Sequence, residues 1–376
     1  MTTTTRVYRN AAARDWRCDA VTGIADFHAT LPGYAPTPLV ELPALADELG
    51  IARVFVKDES SRMGLPAFKL LGVSYAIVRA LTEHLSPGAA PLSLDELRER
   101  LHGSGLTLVA ATDGNHGRAV AHMARLVGIR SAVFVPATVT STAQHAIESE
   151  GAVVHVLELP YDEVVVAAAE AVHADPAMLH IQDTAWPGFH EVPQWIVDGY
   201  DTLGAEIDRQ LGDAGAARLD LVAVPVGVGS LAQAVVRHYR AAAADVAAPT
   251  VLSVEPELAP SLIGSLESGR PVSVETGATI MLGMNCGTIS EIAWPVLRDG
   301  VDAAVTVSED DTARAVHDLQ RLGVDAGPCG ASTLAGLRAL QTAAAQDPAA
   351  ALPQDAVVVL LSTEGSAANP LPDRYR

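Results

Sequence analysis

Apolar runs of strand length alternate with runs of helical periodicity along most of this 376-residue chain. Strands are predicted over residues 54–56, 106–111, 132–135, 153–157, 178–182, 219–226, 251–255 and 357–361. Helices are predicted over residues 68–84, 117–127, 141–150, 161–173, 195–211 and 230–243, with a further short helix opened by the capping box Ser93-Leu94-Asp95-Glu96. Strands that are apolar throughout and alternate with helices are typical of parallel sheets covered on both faces. The pattern therefore predicts an α/β fold of mostly parallel sheets, in which ligands bind at the carboxyl ends of strands.

The length of the chain exceeds what one hydrophobic core usually holds, so two domains are expected. Hydrophobic residues make up 49% of the sequence and charged residues 19%, which allows extensive burial. The residues 86–92, rich in proline and alanine, and the residues 343–353, rich in alanine, aspartate and proline, are predicted to be surface loops.

The formal net charge of −20 disfavours binding to nucleic acid or to an anionic membrane. No apolar run reaches the length of a membrane span, and the N-terminus shows no apolar leader, so no membrane partner is expected. The cysteines Cys18, Cys286 and Cys329 are odd in number and form no CxxC motif. Reduced thiols and a cytoplasmic location are therefore expected.

Lys69 stands between a polar stretch and an apolar run of helical period over residues 70–81. Partial burial would lower the pKa of such a lysine and keep its amine able to attack an aldehyde, as a Schiff-base lysine must. Phe68, Leu70 and Leu71 would supply the apolar surroundings. The alternative is a solvated lysine at a helix start, which is the commoner situation for a lysine taken alone.

A turn of small residues, Thr112-Asp113-Gly114-Asn115-His116-Gly117, joins a predicted strand to the next helix. Successive backbone N–H groups in such a turn suit a substrate carboxylate, and Asn115 could donate to a phenolate oxygen. Asp113 would add negative charge beside that carboxylate, which is costly unless Asp113 accepts a proton or binds an ammonium group. An aspartate that caps the following helix is the alternative.

The segment Gly227-Val228-Gly229-Ser230-Leu231-Ala232 follows a predicted strand and opens a helix. Glycines let the backbone approach an anion, and a helix N-terminus directs N–H groups at it, so the segment suits a phosphate. The segment also matches the dinucleotide pattern G-x-G-x-x-A, which makes an NAD site a competing interpretation. The acidic residue that an NAD site requires would be Glu255, which fits the expected spacing only loosely. A structural turn is a further alternative.

Two more polar groups follow predicted strands. Asp183 could act as a second base or bind an ammonium group, and a turn aspartate is the alternative. Ser362 and Thr363 could hydrogen-bond a pyridine nitrogen, which would favour elimination over transamination. The histidines outside the small-residue turn show no ligand-like pairing, so no metal site is predicted.

Together these segments resemble the 2,3-diaminopropionate ammonia-lyase family, which belongs to the fold-type II pyridoxal-phosphate (PLP) enzymes. The resemblance covers most of the chain and rests on residues 31–39 (LPGYAPTPL), 57–62 (KDESSR), 67–69 (AFK), 111–117 (ATDGNHG), 182–186 (QDTAW), 227–229 (GVG), 254–256 (VEP) and 362–365 (STEG). The aspartate in T-D-G-N-H-G distinguishes this family from serine and threonine dehydratases, which usually carry a serine-type loop.

The resemblance implies a fold similar to tryptophan synthase β, with a large PLP-binding domain over residues 1–72 and 196–376 and a small domain over residues 73–195. It implies that Lys69 binds the cofactor and acts as base on the L-substrate, that Asp113 is the base for the D-isomer, and that Asp183 binds or deprotonates substrate. The expected cofactor-binding residues are Phe68, Lys69, Asn115, Gly227, Val228, Gly229, Ser230, Ser362 and Thr363. The expected residues around the amino acid substrate are Thr112, Asp113, Gly114, Asn115, His116 and Asp183. Members of the family are commonly homodimers.

Some segments depart from the family pattern. The family's S-G-E-S-G-A is Ala326-Gly327-Pro328-Cys329-Gly330-Ala331 here, and residues 285–290 also differ. A family cysteine corresponds to Ser261, so a disulfide with Cys286 is not expected. These changes keep the cofactor chemistry and make the substrate the open question. The expected reaction is α,β-elimination from 2,3-diaminopropionate or a close β-substituted amino acid, giving a 2-keto acid and ammonia. A β-replacement synthase or hydroxy-amino-acid dehydratase on the same fold, and an NAD-dependent oxidoreductase, are the alternatives.

Overall fold

The computed structural model describes residues 5–112, 114–216, 218–241, 248–345 and 351–375. The strands are β1 (Val7–Arg9), β2 (Leu39–Glu41), β3 (Arg53–Asp58), β4 (Thr107–Ala111), β5 (Arg130–Pro136), β6 (Val153–Leu157), β7 (Met178–His180), β8 (Leu221–Pro225), β9 (Thr250–Pro256), β10 (Ala303–Val307) and β11 (Val357–Ser362). The α-helices are α1 (Ile24–Ala29), α2 (Pro43–Leu49), α3 (Leu70–Leu85), α4 (Leu94–Leu101), α5 (Asn115–Val127), α6 (Ser141–Glu148), α7 (Tyr161–Ala174), α8 (Glu191–Gly199), α9 (Asp201–Asp213), α10 (Ser230–Tyr239), α11 (Ser261–Ser268), α12 (Ala293–Gly300), α13 (Glu309–Arg321) and α14 (Pro328–Ala344).

The chain divides into two units. One consists of Met1–Ala25, Ala35–Phe68 and Asp201–Arg376, and the other of Asp26–Tyr34 and Lys69–Tyr200. The expected domain boundaries therefore move by a few residues, and residues 26–34 belong to the second unit instead of the large domain. The early segment joins the second unit because His28, fully buried, places its Nε2 2.9 Å from the carbonyl oxygen of Leu71.

The first unit is built on a seven-stranded sheet with the order β1-β10-β9-β8-β11-β3-β2. The inner strands are parallel, while β1 and β2 pair antiparallel at the two edges. β8 and β11 are buried along their whole length, as their continuous Val and Leu content predicts. α14 packs against β8, β9, β10 and β11 and is buried on nearly all sides.

The second unit contains a four-stranded parallel sheet with the order β6-β5-β4-β7. α3 packs against α8 at a close contact between glycines. A Cβ atom at Gly72 would lie 2.6 Å from the carbonyl oxygen of Ile196, and one at Gly199 would lie 2.7 Å from that of Leu71. The capping box predicted at Ser93 is present at the start of α4.

Three predicted elements differ from the structure. The helix predicted over residues 230–243 ends at Tyr239 as α10, and residues 242–247 lie outside the described part of the chain. The helix predicted over residues 195–211 is two helices, α8 and α9. The N–H of Tyr200 lies 3.1 Å from the carbonyl oxygen of Val197 and 3.3 Å from that of Ile196, so the last turn tightens and α8 ends. The loop predicted over residues 343–353 begins later than expected because α14 continues to Ala344, and residues 346–350 lie outside the described part of the chain.

Candidate active site

Lys69 immediately precedes α3 and forms a close ion pair with Asp183. Its Nζ donates to Asp183 Oδ2 at 2.6 Å, and the side chains of Lys69 and Asp183 are 19% and 6% exposed. Burial alone would raise the pKa of Asp183, but the charge of Lys69, the charge that His116 carries when protonated, and the hydrogen bond of Lys69 outweigh burial and lower the pKa to about 2. Asp183 is therefore a carboxylate at neutral pH, and a partly accessible amine lies against it.

The sequence contains two lysines, Lys57 and Lys69. Lys57 is fully buried in the first unit, where its Nζ donates to Glu206 Oε2 at 2.5 Å and to the carbonyl oxygen of Thr37 at 2.8 Å. An amine enclosed in this way cannot reach a carbonyl group on a bound molecule. Lys69 is therefore the one lysine in the sequence that can form a Schiff base.

Lys57 belongs to a buried ionic network that accounts for the charged block over residues 57–62. Arg62 donates to both oxygens of Glu59, at 2.6 and 2.8 Å, and to both oxygens of Glu206, at 2.7 and 2.9 Å. Burial alone would raise the pKa of Glu206, but the hydrogen bonds and charges of Arg62 and Lys57 lower it to about 2. Two cations and two carboxylates thus balance in the interior of the first unit, and the block stabilises this unit instead of supplying reactive groups.

The small-residue turn after β4 is held by one hydroxyl group. Thr112 Oγ1 accepts from the N–H of Gly114 at 2.9 Å and from the N–H of Gly117 at 3.1 Å. A Cβ atom at Gly117 would lie 2.4 Å from Thr112 Cγ2, so the turn requires glycine there. α5 begins at Asn115, and Gly114 occupies the cap position with φ +149°. Asp113 lies outside the described residues.

His116, in the first turn of α5, lies beside the ion pair. Its Nε2 is 2.8 Å from the carbonyl oxygen of Ile181, and its Nδ1 is 3.8 Å from Asp183 Oδ2. The ring is buried, and burial lowers the pKa of His116 below its usual value. The second unit thus brings together Lys69, Asp183 and His116, which are far apart in the sequence.

Gln182 and Tyr200 contribute to this arrangement but are absent from the predicted set of site residues. Gln182 is fully buried, and its Oε1 accepts from the N–H of Ala111 at 2.9 Å, which ties the residue before Asp183 to the end of β4. Burial raises the pKa of Tyr200, while the charge of Lys69 lowers it and that of Asp183 raises it further. Gln182 could have been identified from the QDTAW block, whereas no sequence pattern singles out Tyr200.

The glycine loop in the first unit joins β8 to α10. Gly229 has φ +98°, and a Cβ atom on it would lie 2.8 Å from Leu297 Cδ1. A Cβ atom on Gly227 would lie 2.8 Å from the carbonyl oxygen of Gly283. The N–H of Ser290 donates to the carbonyl oxygen of Val228 at 2.9 Å, which holds the loop at the N-terminus of α10. This backbone cradle, formed by Gly227, Val228, Gly229 and Ser230, fits a phosphate group.

Ser362 ends β11 and presents a buried hydroxyl group. Within the described part of the chain, its Oγ has no hydrogen-bond partner. A Cβ atom on Gly330 would lie 2.7 Å from this Oγ and 2.9 Å from the N–H nitrogen of Thr363, so glycine keeps the space around both residues open. The N–H of Phe68 donates to the carbonyl oxygen of Thr363 at 3.1 Å. A buried hydroxyl without a partner fits the ring nitrogen of a cofactor, which would satisfy it.

Glu255, the acidic residue that an NAD site would need, has a structural role. It is 1% exposed, and its oxygens accept from the N–H groups of Leu262 at 2.7 Å and Ile263 at 2.8 Å. These bonds cap the start of α11. Burial raises the pKa of Glu255 to about 7 despite the two bonds. Its oxygens are therefore not presented to a ribose.

The segment that departs from the family pattern opens α14. Glu364 Oε1 accepts from the N–H of Cys329 at 3.2 Å and from Asn369 Nδ2 at 3.1 Å, so a residue of the STEG block caps this helix. Cys18, Cys286 and Cys329 form no disulfide within the described residues. Burial raises the pKa of Cys329 well above its usual value, which keeps that thiol unreactive.

Comparison with known proteins identifies the family. The family model described as pyridoxal-phosphate dependent enzyme matches residues 30–364. The chain belongs to this family of PLP-dependent enzymes. A diaminopropionate ammonia-lyase from Salmonella typhimurium strain LT2 is 34% identical over 369 residues, which cover 93% of this chain and 89% of that enzyme.

Two crystal structures of the diaminopropionate ammonia lyase from Escherichia coli are similar to this chain. The complex with D-serine has a TM-score of 0.87 at 29% identity and covers 99% of this chain and 96% of that one. The complex with an aminoacrylate-PLP azomethine reaction intermediate has a TM-score of 0.85, with the same identity and coverage. The predicted fold-type II architecture, the PLP cofactor and the assignment to PLP-dependent ammonia-lyases are confirmed, and the NAD-dependent alternative is not supported.

The structure fits the cofactor that the family requires. The glycine cradle suits the phosphate, and the buried hydroxyl of Ser362 suits the ring nitrogen. Across the described ranges, no group of three or more histidine, cysteine, aspartate or glutamate side chains could hold a metal ion. In the same part of the chain, no helix has both the length and the apolar content of a membrane span.

Proposed function

We propose that this enzyme eliminates ammonia from 2,3-diaminopropionate or a close β-substituted amino acid. The observation that carries the proposal is the ion pair between Lys69, the one lysine able to form a Schiff base, and Asp183, a carboxylate 2.6 Å away. The name of the Salmonella relative, 34% identical, supports 2,3-diaminopropionate as the substrate. With water, that substrate gives pyruvate and two molecules of ammonia.

We infer which residues hold the cofactor. Bound PLP supplies a sink for the electron pair that remains at Cα when the α-proton is removed. Lys69, which Phe68 precedes, binds the aldehyde group. The other expected contacts are the backbone of Gly227, Val228, Gly229 and Ser230 with the phosphate, Asn115 with the phenolate oxygen, and Ser362 and Thr363 with the ring nitrogen. A neutral hydroxyl at the ring nitrogen keeps the ring uncharged, which favours elimination over transamination.

We assign the substrate to the turn after β4. The start of α5, at Asn115 and His116, suits a carboxylate because a helix N-terminus directs N–H groups at an anion. Thr112 and Gly114 shape the turn before it, since their own N–H groups donate to the carbonyl oxygen of Phe134 and to Thr112 Oγ1. Asp183 remains ionised well below neutral pH, so it can hold an ammonium group or take up a proton. We assign Lys69 as base for the L-isomer and Asp113, which lies outside the described residues, as base for the D-isomer.

We further propose that the enzyme works as a homodimer in the cytoplasm. The location is supported by three cysteines that form no disulfide within the described residues, which suits a reducing compartment. The dimer rests on the family resemblance. Size-exclusion chromatography with light scattering measures it directly, and a monomer at assay concentration would contradict it.

The experiment that tests the reaction counts ammonia. The holoenzyme is given D- or L-2,3-diaminopropionate, serine or threonine, and both keto acid and ammonia are measured. We expect diaminopropionate to be the best substrate and to yield two ammonia molecules per pyruvate, because both amino groups leave. A better rate on serine or threonine, with one ammonia per keto acid, would instead assign a dehydratase. A new amino acid formed with an added thiol, in place of pyruvate, would assign a β-replacement synthase.

A further inference from the structure

The hydrogen bond between His116 and Ile181 determines the tautomer of the imidazole. A carbonyl oxygen can only accept, so Nε2, 2.8 Å from the Ile181 oxygen, carries the proton. The ring is 4% exposed and sits in the first turn of α5, where burial and the helix dipole both disfavour a second proton. The neutral ring therefore turns an unprotonated Nδ1 towards its surroundings.

Nδ1 of His116 faces another acceptor. Across the described residues, it has no hydrogen-bond donor, and Asp183 Oδ2 lies 3.8 Å away. The same Oδ2 accepts from Lys69 Nζ at 2.6 Å. Two acceptors placed side by side in a buried site leave one of them unsatisfied, which is costly. A single proton on Asp183 would satisfy both.

The other titratable groups near His116 do not compete for that proton. His180, on β7, is neutral because burial, together with the charge that His116 would carry if protonated, lowers its pKa to about 4. Tyr200, after α8, keeps its own proton because burial raises its pKa. Lys69 is the remaining charged neighbour, and it is already paired with Asp183. The charge and hydrogen bond of Lys69 help keep the pKa of Asp183 low, and both would be lost once the Lys69 amine binds a cofactor aldehyde. Asp183 is therefore the group around His116 whose protonation state can change during turnover.

We propose that His116 is a positioning residue that accepts a hydrogen bond from Asp183 whenever Asp183 carries a proton during turnover. The inference rests on the proposed function, in which a proton leaves the substrate α-carbon or the Lys69 ammonium group. An O–H bond forms at Asp183 as the C–H or N–H bond breaks, and the electron pair stays on the donor atom. The new O–H then donates to Nδ1 of His116. The distance between Asp183 Oδ2 and Nδ1 must shorten by about 1 Å to reach hydrogen-bond distance.

Two variants separate this role from a purely structural one. The amide nitrogen of His116→Gln reaches the position of Nε2, so this variant keeps the bond to Ile181 but removes the acceptor at Nδ1. The amide of His116→Asn reaches the position of Nδ1, so it loses the Ile181 bond but restores an acceptor towards Asp183. We expect kcat per PLP-loaded site to fall roughly 10–100-fold in the glutamine variant and less in the asparagine variant, although the asparagine variant is the less stable. The reverse order of the two rates would overturn the proposal.

The pH profile gives a second readout. A second proton on Nδ1 abolishes its ability to accept, so kcat/KM of the parent enzyme should fall as pH drops through the lowered pKa of His116, below 6.5. In the glutamine variant this fall in kcat/KM on the acid side of the profile (the acid limb) should move to lower pH, towards the much lower pKa of Asp183. His180→Gln, which changes the neighbouring buried histidine, should keep the acid limb of the parent. An unchanged acid limb in the His116→Gln variant would refute the role of His116 while the lyase activity stands.

A third measurement needs no turnover. The ¹⁵N spectrum of the imidazoles in the cofactor-free protein, with His116 assigned from its absence in the glutamine variant, should contain a neutral ring protonated on Nε2 at pH 7.5. A ring protonated on Nδ1, or on both nitrogens, would overturn the proposal whatever the substrate is. Failure of the proposed function would appear differently, as a lack of keto acid from every β-substituted amino acid.

Discussion

Replacing Glu206 by glutamine should destabilise the protein strongly without damaging its chemistry. Glu206 holds Lys57 and Arg62 through contacts of 2.5 to 2.9 Å, and all these side chains are 4% exposed or less. Glutamine has nearly the same shape but no charge, so two buried cations would face Glu59 alone. Breaking a buried ion pair by removing one partner costs roughly 3–5 kcal/mol.

The cost converts into a measurable shift in melting temperature. At about 2–4 °C per kcal/mol for a unit of this size, Glu206→Gln should lower Tm by roughly 6–20 °C. Loss of the Lys57 proton would reduce this cost in part. Burial already lowers the pKa of Lys57, and without Glu206 the site would favour the neutral amine further. The folded variant then binds fewer protons than the unfolded chain, so its stability should rise with pH. Differential scanning fluorimetry at several pH values measures both effects.

An exposed pair provides the control. Glu41 bonds Arg53 with side chains 38% and 25% exposed, so Glu41→Gln should cost less than about 1 kcal/mol. Below the melting transition, the rate of Glu206→Gln per PLP-loaded site should match that of the parent. A loss no larger than that of Glu41→Gln would refute the claim that the buried Lys57 and Arg62 depend on Glu206 for charge compensation. A stable variant that had lost turnover would show instead that the charged block 57–62 takes part in catalysis.

Two further predictions concern the proposed binding sites. Gly229→Val places a β-branched residue in a left-handed conformation and pushes it towards Leu297, which should cost roughly 2–5 kcal/mol. The affinity for PLP, measured by absorbance titration, should therefore fall about 30-fold or more. Gly212→Val is the control, because Gly212 is an exposed helical glycine with open space around it, and this variant should bind PLP as the parent does. Equal PLP affinity in both variants would contradict the proposal that the Gly229 loop binds the phosphate. Asp113→Asn should lose roughly 10²–10⁴-fold in turnover of D-2,3-diaminopropionate and much less on the L-isomer, with PLP still bound. Equal activity of variant and parent on both isomers would leave Asp113 without a catalytic role.

Local patterns predict the strand-to-helix loops to which ligand binding is assigned above, because each joins a continuous apolar strand to a helix. Gly229 and Gly114 have positive φ angles at the turns where the sequence places small residues. The pairing of Lys69 with Asp183 is different, since 114 residues separate them and no local periodicity encodes the contact. The location of Lys57 was equally hidden, because a charged residue in an alternating pattern is expected to face solvent.

The region between β9 and β11 was the least predictable part of the fold. α14 is buried on nearly all sides, so it lacks the polar stripe by which an amphipathic helix is recognised. The break between α8 and α9 was hidden for a related reason. Helical periodicity continues across residues 195–211, and the end of α8 depends on a turn that tightens at Tyr200. Where tertiary packing determines whether a helix forms or where it ends, the local sequence pattern gives little indication of it.

A chain with two lysines, one of them sealed in the interior, has a practical consequence for labelling. Apart from the α-amino group, an amine-selective reagent has a single side chain to modify, and that residue is Lys69. One equivalent of label should therefore enter the cofactor-free protein at this position, and occupancy by PLP should block it. Intact-protein mass spectrometry would then report the fraction of loaded sites as a simple difference in mass, without substrate and without a spectroscopic standard.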